Sequence, residues 1–580
     1  MRAEAINVSV QRYHCKSLTL LNVQPSINAY VQEDSIAFCI AVRGHCQYKC
    51  FLPNGNRLKP QFHEIWRCIV RNRNRLCPSS TVNISLDKYL SNRQYTNDLL
   101  GNVLEETFSE YEFDSSTNSM RKILSGEIEN NYADLHTNHL TSSVISLRDQ
   151  LGNARTDTIC NLGYDDFGHV IQNNRGGVEA DMMYEYDNMH GWLTKTKSSG
   201  SFEQKLFRET DGNIPCYNGN ISAMTWKTAN NYVRRFDYRY DDLDRLHRAD
   251  FSYYAISNPS TPDPILSLIP YVGMENEDYT SVYDYDKNGN ILSAYRQGVV
   301  DNNRYDEYGL FYDTLDDYIA EYNGNQLKSV NGTGVGDPSY YGSSYFVDGA
   351  EEDVEYAYNA NGSMTMDLNK GITNIEYDPT GNLKTISLTG DRFVNYVYSP
   401  DGTRLRTTHG RKVGNTWLNG SIDYRGNLLF KHGKPYMYQF PGGYVSFSDY
   451  ALGSCHYYIQ DYLGNNRMVV NANGSTEQIT HYYPYGGEIG GITGSGYVQP
   501  FKFGGKELDN TFGLDWYDIH ARQYNPVVPS WHAMDPLCEK YYSISPYAFC
   551  ANNPVNRGDL HGDSITFLDN TSIEALYNAL

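Results

Sequence analysis

Two aspartates near the end of the chain have the residue type and neighbourhood for chemistry. Asp535 lies in Met534-Asp535-Pro536 and Asp559 in Asp559-Leu560-His561-Gly562. Two carboxylates held close together can share a proton, so that one acts as base and the other as acid in peptide hydrolysis. The plainer role for both is to end strands or open turns. Other constellations carry less. Cys46 and Cys50 stand upstream of Cys68 and Cys77, in an opening that also holds Cys15 and Cys39. The tight paired spacing of a zinc ribbon is missing there, and His63-Glu64 lacks the second histidine of a metalloprotease helix. Phe503-Gly504-Gly505-Lys506-Glu507 has no Ser or Thr after its lysine and reads as a turn. Arg557-Gly558-Asp559 spells an integrin-type tripeptide, a match too short to specify anything. No dinucleotide fingerprint or serine elbow is present, and no cofactor or metal is expected.

The elements that must position these residues are written as a repeat, Tyr-x-Tyr-Asp-x-x-Gly-Asn-Leu with substitutions. Tyr283-Asp284-Tyr285-Asp286-Lys287-Asn288-Gly289-Asn290-Ile291 is close to ideal, as is Tyr377-Asp378-Pro379-Thr380-Gly381-Asn382-Leu383. Tyr164-Asp165-Asp166-Phe167-Gly168 opens the series, and Tyr238-Arg239-Tyr240-Asp241-Asp242-Leu243-Asp244 puts Asp where Gly usually sits. Adjacent copies recur roughly every twenty residues, as at Tyr358, Tyr377 and Tyr398. Tyrosines two apart share one face of a strand. Asp bonds the backbone two residues on and opens a type I turn, and Gly supplies the positive φ that ends the turn in a bulge. Each copy is thus a strand–turn–strand unit, and copies must pair edge to edge into a long twisting sheet.

Composition agrees with strands joined by tight turns: the 580 residues include 52 Tyr and 49 Gly. The net charge of −21 argues against general binding to nucleic acid or anionic membranes. No apolar run is long enough for a transmembrane helix, and no signal segment opens the chain. Charge is uneven: residues 1–80 carry eleven Lys/Arg against four Asp/Glu, a net of +7 that leaves −28 on the remainder.

From Tyr457 onward, several blocks follow in order. They include Gln460-Asp461-Tyr462-Leu463-Gly464-Asn465, Tyr482-Tyr483-Pro484-Tyr485-Gly486, Gly513-Leu514-Asp515-Trp516-Tyr517 and Asn552-Asn553-Pro554-Val555-Asn556. Together with the repeats, these blocks resemble the YD-repeat (RHS) proteins, and residues 457–562 resemble the RHS repeat-associated core. The resemblance implies a mostly β fold: a long spiralling antiparallel sheet of hairpin repeats forming a partial hollow shell, ended by a core that plugs it. In members that self-cleave, the core resembles an aspartic protease that cuts just beyond a closing Asp-Pro-x-Gly motif. Asp535 and Asp559 match the two aspartates, while Leu560 stands in place of the proline.

The expected organisation is a basic Cys-rich leader over 1–80, a mixed polar region over 81–159 and degenerate repeats over 160–450. The core follows over 451–562 and a short tail over 563–580, where family members carry a variable effector. One helix is expected from Asp98-Leu99-Leu100 to Phe108, and another short one after Ser545-Pro546. The tail segment Thr571 to Leu580 has room for one more short helix. Residues 249–281 and 330–353 read as surface loops. The resemblance implies an encapsulating scaffold of a polymorphic-toxin or cell-surface system, secreted or surface-associated. Its partners would be a cognate C-terminal effector or a second shell-forming subunit. The alternatives are an adhesion module that binds glycans or cells through exposed aromatic rows, and a protein that cleaves itself once.

Overall fold

The computed structural model describes residues 79–567, apart from short breaks and the segments 256–278, 335–343 and 491–498, together with three strands between 27 and 51. Among the described residues there is no α-helix, only strands and brief 3-10 turns. Twenty strands from Ile27–Gln32 to Gln326–Gly334 make one sheet, and thirteen from Tyr356–Tyr358 to Thr476–Ile479 make a second. Nearly every strand pairs antiparallel with its neighbours in sequence; the exception is a parallel pairing of His45–Phe51 with Ser79–Leu86. The expected mostly β, antiparallel class is what the chain adopts.

The repeat folds as its residues require. At Asp286 the carboxylate Oδ1 accepts the N–H groups of Asn288 and Asn290, both at 2.8 Å, and Oδ2 accepts Nδ2 of Asn290 at 2.7 Å. Gly289 takes φ 88° to close the turn, and the pairing slips by one residue between Asp284 and Tyr285. At Asp378 the same bonds and the same slip recur. The second tyrosine of each copy then reaches back to the preceding copy. Its hydroxyl donates to the carbonyl of the apolar residue that begins the returning strand: Tyr186 to Val170, Tyr240 to Ile221, Tyr285 to Leu246, Tyr322 to Ile291 and Tyr377 to Met364, at 2.5–3.0 Å. Each bond is worth about 1 kcal/mol net, and leaving a buried carbonyl unpaired would cost more.

Two apolar clusters join distant parts of the chain. In one, Phe108, Leu124, Ile145 and Met182 from early strands pack against Leu428, Tyr438, Tyr457 and Met468 from late ones. Phe108 stacks on Tyr438 at 5.1 Å, and the buried Arg175 donates to the Gly442 and Tyr458 carbonyls at 3.2 and 2.9 Å. The second sheet therefore returns onto the start of the first. The other cluster gathers the remaining repeats around core residues such as Tyr483, Trp516, Tyr524 and Trp531.

Four expectations are corrected. The segment Asp98 to Phe108 is no helix: Asp98 accepts the N–H groups of Leu100 and Asn102 at 2.8 and 2.9 Å, Gly101 has φ 92°, and the strand Val103–Asp114 follows. This is the repeat turn again, where Asp-x-x-Gly-Asn outweighs the helix preference of the leucines. Asp149 makes a further turn of the same kind. Ser545-Pro546 opens a turn, and the helical piece after it is the 3-10 segment Phe549–Asn552, whose last three residues are left-handed. The span 330–353 is only partly a surface loop, since Phe346 is buried and its N–H bonds Asp316 at 2.5 Å. Within 249–281, the described part begins as strand Leu246–Ala255, and 256–278 lie outside the described residues. So do Cys15, Cys68, Cys77, His63-Glu64 and the tail segment Thr571 to Leu580.

Candidate functional site

The strand Arg522–Asn525 places Arg522 at the centre of the site. Pairing with Trp516–Ile519 on one side and Ser530–Trp531 on the other buries the strand on both edges. The guanidinium lies over the Trp531 ring, 4.0 Å from its centroid. A cation this deep needs counter-charges, because desolvation alone would cost several kcal/mol. It finds two. Its Nη2 donates to Asp535 Oδ2 at 3.0 Å and to Asp559 Oδ2 at 3.4 Å. The two aspartates singled out from sequence are thus brought together, both buried, on one guanidinium.

Local backbone fixes each carboxylate. Asp535 follows the Ser530–Trp531 strand, and its Oδ1 accepts the Leu537 N–H at 2.7 Å across the bend at Pro536. Asp559 follows the two-residue strand Arg557–Gly558. Its Oδ1 gathers the N–H groups of His561, Gly562, Asp563 and Ser564 at 3.3, 2.7, 3.2 and 3.4 Å, so the closing motif wraps around its own aspartate. Gly562 has φ 72°, and a Cβ there would meet the Ile519 carbonyl oxygen at 2.3 Å. Its own carbonyl accepts Nε of Arg522 at 2.5 Å.

Burial pushes the Asp559 carboxyl above the ordinary carboxylate range, against the pull of Arg522 and of the surrounding N–H groups. Burial likewise lowers the Arg522 guanidinium, opposed by Asp535 and Asp559. The arrangement offers two kinds of chemistry. It closes a turn by satisfying every donor of the 561–564 backbone. It also sets a charged N–H on the Gly562 carbonyl beside two carboxylates, that of Asp559 raised by burial, the elements of acid–base attack on a peptide bond. Arg522 was not singled out from sequence. The signal was an arginine in the strand-forming run Trp516-Tyr517-Asp518-Ile519-His520-Ala521-Arg522-Gln523-Tyr524, which must find buried carboxylates once both edges pair.

A second constellation binds the core to the repeats. Asn552 Nδ2 donates to the Gly289 carbonyl at 2.7 Å and Asn553 Nδ2 to that of Asp244 at 2.8 Å, while Asn556 Oδ1 accepts the Ile221 N–H at 2.8 Å. The Tyr547 hydroxyl reaches the Gly362 carbonyl at 2.7 Å. Cys550, Ala551 and Asn552 hold φ of 49°, 51° and 59°, each costing about 1 kcal/mol in a non-glycine residue, to aim Asn552 at its turn.

No family model matches the chain. It is 28% identical over 225 residues to salivary gland surface protein 1 of Aedes aegypti, a match covering 35% of this chain and 6% of that protein. It is 24% identical over 419 residues to toxin subunit YenC2 of Yersinia entomophaga, covering 66% of this chain and 37% of that one. The chain thus spans well under half the length of these relatives. Among solved structures, the Photorhabdus luminescens Tc holotoxin pore is similar at a TM-score of 0.53 and 16% identity, over 92% of this chain and 25% of that one. The TcdB2-TccC3 crystal structure is similar at a TM-score of 0.51 and 14% identity, over 91% of this chain and 26% of that one. The all-β architecture is shared with those toxin chains.

Proposed function

We propose that the chain is an encapsulating scaffold of a toxin or cell-surface system, in which the core closes a shell of hairpin repeats and keeps a C-terminal segment from solvent. The observation that carries this reading is the docking of Asn552, Asn553, Asn556 and Tyr547 onto four separate repeat turns. A core fastened at so many points works as a lid on the repeats rather than as an appended domain. The return of the late strands onto the early ones supports it too. Likeness to YenC2 and TcdB2-TccC3 favours a toxin setting, with an effector or a second shell-forming subunit as partner and a secreted or surface location. Among the described residues no helix is long and apolar enough to cross a membrane. The adhesion alternative is weakened because the repeat tyrosines turn into the apolar cluster instead of presenting aromatic rows outward. The test is a small folded passenger fused after Leu580. A passenger resistant to protease until the shell is unfolded supports the reading; one digested at the rate of the free passenger overturns it.

A second reading, one-time self-cleavage beside Gly562, is favoured by the meeting of Arg522, Asp535, Asp559 and the Gly562 carbonyl. In that reaction water adds to the Gly562 carbonyl carbon as one carboxylate takes its proton. The bond to Asp563 breaks, and the leaving amine receives a proton from the other carboxyl. Intact mass under denaturing conditions tests it: two fragments in the parent chain, and a single mass in Asp535→Asn and Asp559→Asn. Unchanged cleavage in both variants removes the mechanism, and an uncut parent chain removes the reading.

A further inference from the structure

Hairpins of an antiparallel meander place every second turn on the same rim of the sheet. Along one rim of the first sheet, successive turns touch. Asn102 Nδ2 reaches Asn138 Oδ1 at 2.5 Å, and His139 stacks on Tyr164 at 4.6 Å. Farther on, His169 stacks on Tyr186 at 4.6 Å, and Asn218 Nδ2 reaches Asp244 Oδ1 at 2.6 Å. The tips of this row carry Leu100, Phe167, Met189, Tyr217 and Leu243, which are 51%, 85%, 84%, 75% and 63% exposed. Single exposed apolar residues are ordinary, but five in register on one rim are not. At the corresponding positions of later turns the chain has Asn288, Asn361, Thr380 and Asp401. The core reaches this rim through turn backbone, with Asn552 on Gly289, Tyr547 on Gly362, Asn553 on the Asp244 carbonyl and Asn556 on the Ile221 N–H, and it leaves the tips Tyr217 and Leu243 exposed. The other apolar tip of this kind in the core, Leu463, is covered by the main apolar cluster. Leu151, 66% exposed, sits on the opposite rim and is not part of the row.

Charge identifies the occupant. The turn segments 98–102, 165–169, 187–192, 208–220 and 241–245 hold nine Asp/Glu, two Arg and no Lys. Outside residues 1–80, which carry +7, a second copy of this chain stands at −28 and would bring like charge to the rim, and so would the tail 568–580, with Asp569 and Glu574 and no base. We propose that this rim is a docking surface for a separate protein partner whose contact face is basic and carries apolar sockets for the turn tips. The surface continues the rim that the chain's own Asn552-Asn553-Pro554-Val555-Asn556 already occupies. The partner would therefore extend an interface the fold has begun.

The experiment uses the full chain and two labelled 16-residue probe peptides, one alternating Lys with Leu and one alternating Lys with Ser, at physiological salt. The Lys–Leu probe is expected to bind more tightly than the Lys–Ser probe by about tenfold, the order that burying a few apolar anchors supplies. Phe167→Ser, Met189→Ser, Tyr217→Ser and Leu243→Ser combined should abolish that preference while circular dichroism and thermal midpoint stay unchanged, since the side chains are exposed. Asp166→Asn with Asp242→Asn should weaken both probes alike. Equal binding of the two probes, or a preference that survives the fourfold substitution, overturns the proposal. So does a dimer in sedimentation velocity that the fourfold substitution dissolves, because the occupant would then be a second copy.

Discussion

The turns at Asp165 and Asp461 are the same local structure in two environments. Asp165, in the repeats, accepts the N–H groups of Phe167 and His169 and the His169 ring nitrogen, all at 2.9 Å. Asp461, in the core, accepts the N–H groups of Leu463 and Asn465 and the Asn465 amide at 3.0–3.1 Å. Around Asp165, burial is the largest single influence and raises the carboxyl, but the donors together outweigh it and hold it below the usual range. Around Asp461, burial wins, and the carboxyl stands above its usual value despite Arg467 at 3.7 Å and the same donors. Hydrogen-bond geometry is thus set by neighbours in sequence, while the sign of the electrostatics is set by what the fold stacks on top.

The contrast can be broken most severely at Arg522. Arg522→Met should cost about 3–5 kcal/mol, the scale for leaving buried charges unpaired, measured by urea denaturation. Arg245→Met, in a repeat turn where Nε meets Asp241 Oδ2 at 2.6 Å and the two side chains keep 15% and 26% exposure, should cost less, about 1 kcal/mol. Next come two glycines with similar backbone but different surroundings. At Gly381, φ is 91° and a Cβ would meet nothing; at Gly362, φ is 75° and a Cβ would meet the Met534 sulfur at 2.4 Å. Gly381→Ala should cost about 1 kcal/mol in backbone strain. Gly362→Ala should cost about 2–4 kcal/mol, with overpacking added, and should speed proteolysis between the core and the repeats.

Acid sharpens the comparison. Asp165, depressed in the fold, contributes stability above its unfolded value of about 3.9, and that contribution is lost as pH falls through its folded value. Asp461 behaves oppositely: its buried charge is a cost above the folded value, relieved as pH falls from there toward about 3.9. Subtracting the stability of Asp165→Asn from that of the parent chain across pH 3–6 should give a difference that rises with pH. The same subtraction for Asp461→Asn should give one that falls, and like slopes would show that the two turns share one environment. The smallest effects are expected from the hydroxyls. Tyr377→Phe and Tyr482→Phe each remove one bond to a carbonyl, at 2.6 Å to Met364 and 2.8 Å to Asn466, and should each cost about 1 kcal/mol by thermal denaturation.

The repeats were legible because all of their information is local: Asp, Gly and Asn lie within five residues, and the turn at Asp378 forms as those residues dictate. The same chemistry at Asp98 was obscured by two leucines whose helix preference a single-residue reading overweights. In the candidate site, Asp535 and Asp559 were visible as motif residues, and the fold does bring them together. Arg522 was not visible, because a strand arginine acquires its meaning from carboxylates supplied by two later segments. The amides of Asn552, Asn553 and Asn556 were visible as a block, but their targets, more than 260 residues earlier in the chain, were not.

Those three amides also bear on how such a chain can change length over evolution. Each grips a different turn, so they count the hairpins between Ile221 and Gly289 as notches on a ruler. A duplication inside that span would leave at least one grip facing the wrong turn. A duplication ahead of Tyr164 would leave all three matched. The hairpins beneath the core are therefore held to a fixed number by the amides, whereas the early strands are held by a different device, the seam in which Phe108, Leu124 and Ile145 meet Leu428, Tyr438 and Tyr457.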